Sequence, residues 1–119
     1  LKSIIVFVYL AKYKFSMKFK GIKFCINSLN NGYFNIKIDP NYLIKFLNSR
    51  FINFLYPTCL IKSLTFKKLA KNSDSFTLCI GVAKINGLFE SHAWIERNEQ
   101  LVLNPMHNLN NFKKIFTYK

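Results

Sequence analysis

The spacing of the apolar residues changes once along this chain, and that change constrains the fold more than any other feature. From Tyr42 onward, Leu43, Phe46, Leu47, Phe51, Phe54 and Leu55 recur at three and four residues, which describes one buried helical face ending before Pro57. Leu60, Ile61, Leu64, Phe66 and Leu69 repeat the helical spacing. Lys62, Lys67, Lys68 and Lys71 are expected to face out or to close the C-terminus of that helix. After the breaker Asn72-Ser73-Asp74 the period drops to two. Phe76, Leu78, Ile80 and Val82 alternate with Ser75, Thr77, Cys79 and Gly81, the pattern of a half-buried strand. Helices followed by strands, with no alternation between them, predict an α+β domain in which helices pack on an antiparallel sheet.

The flanking segments fit that plan. Ile4, Ile5, Val8, Tyr9, Leu10 and Tyr13 carry a helical spacing, whereas residues 17–24 alternate Lys with Phe and Met and suit helix or strand. Residues 27–32 form a turn pattern, and Asp39-Pro40-Asn41 places an N-cap and a first-turn proline at the head of the next helix. Asn86-Gly87 is the strongest turn signal in the chain. Residues 92–96 and 100–104 then form a hairpin about Arg97-Asn98-Glu99, ended by Asn104-Pro105. The Asn-rich tail is a loop leading to a short strand or helix at residues 112–118. No internal repeat and no second domain is visible.

A chain of 119 residues that is 50% hydrophobic and 17% aromatic buries one core and is too apolar for a disordered polycation. Its net charge of +13 is less informative than it looks. Sixteen of the 18 basic residues are Lys, and only Arg50 and Arg97 are Arg. Phe, Tyr, Met, Ile, Asn and Lys, whose codons are A/T-rich, make up more than half of the chain. Nucleic-acid readers depend on the bidentate guanidinium, so no nucleic-acid partner is expected. The charge favours solubility and attraction to acidic surfaces in general.

Cysteines at 25, 59 and 79 are odd in number and lack metal-ligand spacing, which predicts a reducing, cytoplasmic setting and neither a disulfide scaffold nor structural zinc. The longest apolar run, residues 4–11, is far short of the 18 or so residues that span a bilayer. No integral membrane segment is expected, and peripheral association stays open. Because the chain begins with Leu1, a truncated or mis-started form is expected. Four glycines cannot build a P-loop or a dinucleotide fingerprint, and five scattered carboxylates offer no acid pair. Neither a cofactor nor a metal is expected.

What remains is Cys59, at the start of the second helix, and His92, on a later strand. A thiol at a helix N-terminus feels the positive end of the dipole and the first-turn N–H groups, and a nearby imidazole favours thiolate further. A three-residue loop at 97–99 would set His92 opposite Asn104 on the same face, where Asn can accept the imidazole N–H and fix its tautomer. A two-residue turn would instead pair His92 with Pro105 and send Asn104 to the other face.

Three stretches carry a resemblance: Cys59-Leu60-Ile61-Lys62-Ser63 at a helix start, Ile80-Gly81-Val82 within a strand, and His92-Ala93-Trp94-Ile95-Glu96 on the next. In order and spacing, over about residues 50–105, they resemble the B2 proteins of lasso-peptide biosynthesis, transglutaminase-like cysteine peptidases that remove leader peptides. The resemblance implies a papain-like, transglutaminase-like fold in one domain, residues 1–119. A variable helical region occupies 1–48 and the peptidase core 49–119. It implies Cys59 as nucleophile, His92 as general acid and base, and Asn104 as the orienting residue, where the family usually has Asp. The family usually has Arg-Gly at the helix-to-strand turn, and this chain has Lys71-Asn72-Ser73-Asp74. The implied partners are a precursor peptide, a separate leader-recognition protein and an ATP-dependent lasso cyclase. Two rival readings are a catalytically degenerate scaffold of the same complex and a basic binding module for membrane or nucleic acid.

The other residues invite plainer readings. Trp94 is expected to pack over the site, Ser63 to bond the helix backbone, and Glu96 to pair with a Lys or brace the hairpin. Asp74 lies at the far end of the strand, Cys25 and Cys79 are expected to be inert, and His107 to be a loop residue.

Overall fold

The computed structural model describes residues 2–27, 37–49, 58–103 and 111–119. Among the described residues three α-helices, α1 (Lys2–Asn27), α2 (Pro40–Leu47) and α3 (Cys59–Leu69), precede four strands, β1 (Thr77–Ile85), β2 (Leu88–Arg97), β3 (Gln100–Leu103) and β4 (Lys113–Tyr118). The strands form one antiparallel sheet in the order β3-β2-β1-β4. This is the α+β arrangement that the single change of period predicts.

Helix α1 continues through the stretch whose period fitted either state, but it is broken at Gly21 (φ 81, ψ 175), a conformation open to glycine and strained for other residues. Asp39 caps α2 by accepting the Asn41 N–H, with Pro40 in the first turn. This helix ends at Leu47, with Asn48 as its C-cap. Phe51, Phe54, Leu55 and Pro57, the expected remainder of that face, lie outside the described residues, as do most of the expected 27–32 turn, Asn104 and His107.

One core fills the space between the helices and one face of the sheet. Val6, Leu10 and Tyr13 of α1, Leu43 and Leu47 of α2, and Ile61, Leu64, Phe66 and Leu69 of α3 pack with Leu78, Ile95 and Leu103. The backbone of residues 37–39 clips the end of α3. Ile38 N–H donates to Leu69 O at 2.7 Å, and Lys71 N–H donates to Ile38 O at 2.9 Å.

Two expectations about exposure fail in part. Of facing out or closing the end of α3, Lys67 and Lys68 do only the second: they stand in its last turn and are 5% and 8% exposed. Lys67 is tucked under the turn that follows α3, where its Nζ donates to Ser73 O and Phe76 O, each at 2.6 Å. An ammonium provides three donors, so a buried lysine can bond two turn carbonyls at once, Ser73 O being shared with the Phe76 N–H. Burial pushes its pKa down to about 8, against the opposing pull of Asp74. The second failure is β1, which is not half-buried. Cys79, Gly81 and Ala83 are buried on the face turned away from the helices, because Trp94 and Phe112 close over them as a second, smaller core.

The turns follow local chemistry. Asn72 takes the left-handed conformation (φ 54, ψ 42) between α3 and β1, a geometry that Asn tolerates better than most residues. Asn86 and Gly87 both have positive φ and join Ile85 to Leu88 in a two-residue hairpin.

Candidate active site

Thr58 initiates α3: its Oγ1 accepts the Ile61 N–H at 3.2 Å, satisfying one of the amides that a helix start leaves without an intrahelical partner. Cys59 therefore occupies the first helical position. Ser63, one turn on, donates its hydroxyl to Cys59 O at 2.8 Å, the helix-to-backbone contact expected of it.

The partly buried Cys59 thiol lies against the edge of β2. Its Sγ accepts the Ala93 backbone N–H at 3.3 Å. In an antiparallel ladder, alternate residues bond to alternate neighbours. Arg97 pairs with Gln100 across the hairpin turn and Ile95 with Leu103, so Ala93 presents its amide on that same edge. The sulfur takes it there.

His92, the residue before Ala93, stands opposite Gly81 of β1. Its imidazole stacks with the Trp94 indole, with centroids 6.0 Å apart and planes at 19°, and meets the Phe112 ring at 5.9 Å and 55°. Trp94 is thus on the His92 side of the strand, as expected. Gly81 makes room for the indole: a Cβ there would lie 2.8 Å from Trp94 Cη2, 3.0 Å from Cζ3 and 3.1 Å from Lys113 O. The Ile-Gly-Val pattern on β1 has this close approach as its physical cause.

The hairpin that follows differs from the three-residue loop. Arg97 pairs with Gln100, so the turn is the two residues Asn98 and Glu99, both with positive φ (51 and 65). A shift between Ile95 and Glu96 then inserts one extra residue into β3, giving Glu96 opposite Leu101 and Ile95 opposite Leu103. Without that bulge Leu103 would face Trp94 and leave the main core. The three-residue loop is therefore not the one observed, and Asn104 lies outside the described residues.

Two further residues adjoin the site. Lys62, expected to face out or to close the helix, is only partly exposed; burial lowers its pKa while the charge of Cys59 raises it. The three-residue spacing on a helix was the available signal. Glu96 is the second. Its carboxylate accepts from Trp94 Nε1 at 3.0 Å, from Cys79 Sγ at 3.1 Å and from Lys114 Nζ at 2.9 Å, and the same ammonium stands 2.6 Å from its other oxygen. Burial and the bond to Glu96 push the Cys79 thiol up to about 12, so Cys79 is a protonated donor and an inert thiol. Asp74 is exposed in the turn before β1. Cys25 belongs to α1. Among the described residues no group of three or more His, Cys, Asp or Glu is placed to hold a metal ion. No helix there is long and apolar enough to cross a membrane.

A helix-borne cysteine bonded to the backbone beside a strand histidine is an arrangement that a family comparison can place. The profile of the transglutaminase-like superfamily matches residues 48–117, more than half of the chain. The chain belongs to the transglutaminase-like superfamily. No curated protein and no solved structure shows a significant match to it. The superfamily includes cysteine peptidases, and the matched span of this transglutaminase-like domain contains α3, Cys59, His92 and all of the sheet except Tyr118.

Proposed function

We propose that this protein is a cysteine peptidase that removes the leader from a lasso or related ribosomally made peptide precursor. The observation that carries the reading is the 3.3 Å bond from Ala93 N–H to Cys59 Sγ, which ties the head of α3 to the residue adjoining His92. In this reading the Cys59 thiolate attacks the carbonyl at the leader–core junction and forms a thioester with the leader. His92 protonates the leaving amine of the core peptide, then takes a proton from the water that hydrolyses the thioester. The Cys59 backbone N–H, at the first helical position, and a neighbouring donor stabilise the oxyanion.

Asn104 is the orienting group, a role that the lasso B2 resemblance assigns to it. An amide oxygen can accept the imidazole N–H but lacks the charge that stabilises imidazolium. The precursor reaches the site through a separate leader-recognition protein, and an ATP-dependent cyclase consumes the freed core amine.

The test is cleavage of a precursor encoded beside this protein, followed by mass spectrometry with the leader-recognition protein present. Cys59→Ala and His92→Ala should abolish cleavage, and Asn104→Asp should keep or raise it. Cleavage that survives Cys59→Ala would overturn the nucleophile. A wild-type protein that is silent where Asn104→Asp cleaves would make this chain a degenerate member acting as a scaffold.

A further inference from the structure

His92, Trp94 and Glu96 occupy alternate positions on β2 and so point to one face of the sheet. Only the first has a role in the reaction proposed above. Glu96 anchors the other end of the row. Its side chain is 12% exposed and accepts donors from three strands: Trp94 of β2, Cys79 of β1 and Lys114 of β4. Burial alone would raise its pKa, but the bonds from Lys114, Cys79 and Trp94 prevail and hold it below the ordinary carboxylate value. A carboxylate held on every side is a fixed point.

Trp94 is confined at both ends. Its Nε1–H is tied to Glu96, and the far edge of its six-membered ring rests against the bare Cα of Gly81. The imidazole of His92 lies nearly parallel to this ring. Histidine χ2 is a broad, roughly two-fold torsion, so neighbours rather than covalent geometry select the ring plane. Here those neighbours include Trp94 and Phe112.

We propose that Glu96 is a positioning residue for His92: its carboxylate tethers the Trp94 indole, and the tethered indole sets the plane of the imidazole. This rests on His92 being the acid and base of the reaction above. A purely structural role, tying β4 to the sheet through Lys114, makes a different prediction, because Lys114→Met cuts that tie and leaves the Trp94 bond intact.

The experiment uses the full chain and two readouts: the NMR resonance of the His92 ring, assigned by its loss in His92→Gln, and kcat and KM for precursor cleavage. Glu96→Ala should move the His92 ring resonance and lower kcat about 10- to 100-fold, since small misplacements of a catalytic group cost this much, with KM changed less than about threefold. Glu96→Gln, whose carbonyl can still accept the indole N–H, should keep the resonance near its wild-type position. In a Trp94→Phe background, which has no N–H to tether, Glu96→Ala should have no further effect on kcat. Lys114→Met should lower the unfolding midpoint and spare the resonance.

An unchanged resonance in folded Glu96→Ala would overturn the proposal, and so would a Lys114→Met variant that reproduces the full effect. If Glu96→Ala does not fold, a resonance displaced in Glu96→Gln as far as in Trp94→Phe overturns it, and a retained one supports it. The resonance is read without substrate. A wild-type protein that cleaves nothing would therefore remove the peptidase reading while the resonance still decides the positioning role.

Discussion

The Cys59 thiol accepts the Ala93 backbone N–H, so the start of α3 and the middle of β2 are joined through a sulfur rather than through side-chain packing alone. Cys59 and Cys79 should therefore differ in reactivity. Iodoacetamide reacts with the thiolate. The Cys79 thiol is buried and pushed up to about 12, so near pH 7 Cys59 should be alkylated well before it. Peptide mass spectrometry over a time course checks this; equal rates in the folded protein would contradict the burial of Cys79.

Thr58 holds the cysteine in place from the other side. Thr58→Ala removes the acceptor of the Ile61 N–H and should cost about 0.5–2 kcal/mol in urea unfolding. Thr58→Ser should recover most of it. Because the cap fixes the first turn that carries Cys59, the alanine variant should also slow alkylation of that thiol.

Gly81→Ala is expected to do more harm than its size suggests. The added Cβ meets the Trp94 ring and a β4 carbonyl, and neither a packed indole nor a strand backbone yields easily. Overpacking of this kind costs about 1–3 kcal/mol. Trp94 is the only tryptophan in the chain, so its fluorescence should report the displacement directly. An unaltered emission spectrum with unaltered stability would contradict the close approach.

Lys67 makes a prediction about pH. Its folded pKa of about 8 lies below the ordinary 10.5, so the unfolded chain binds more protons between these values, and stability rises with pH across that window. The contribution is complete above about 10.5 and is lost as the pH falls through about 8. Wild type and Lys67→Met should be compared by urea midpoint at pH 7.5 and 10. The methionine variant should be destabilised at both by loss of the two ammonium–carbonyl bonds, and only wild type should show the rise attributable to this group. Parallel pH profiles in the two proteins would refute the buried, perturbed lysine.

The periodic signals in the chain carried most of the fold. Leu60 to Leu69 at helical spacing, the alternation from Phe76 to Val82, Asp39-Pro40 and Asn86-Gly87 each correspond to an observed element, because each reflects a local preference that tertiary contacts reinforce. Where sequence reading failed, the missing information was a partner distant in the chain. Lys67 fitted an outward cation as well as a closure of the helix end until the turn at Ser73–Ser75 folded back over it. Cys79 and Gly81 looked like the wet side of a strand until Trp94 and Phe112 covered them.

The sequence by itself determined the order of helices before strands, the caps and turns, and the presence of a cysteine at a helix start and a histidine on a strand, since these depend on side-chain chemistry within a few residues. Tertiary structure alone decided three other things: that Cys59 meets the edge of β2 beside His92, that the 98–99 turn is followed by a compensating bulge, and that Glu96 gathers donors from three strands. Register and edge contacts are set by which faces must be buried across the whole sheet. No local window of residues contains that information.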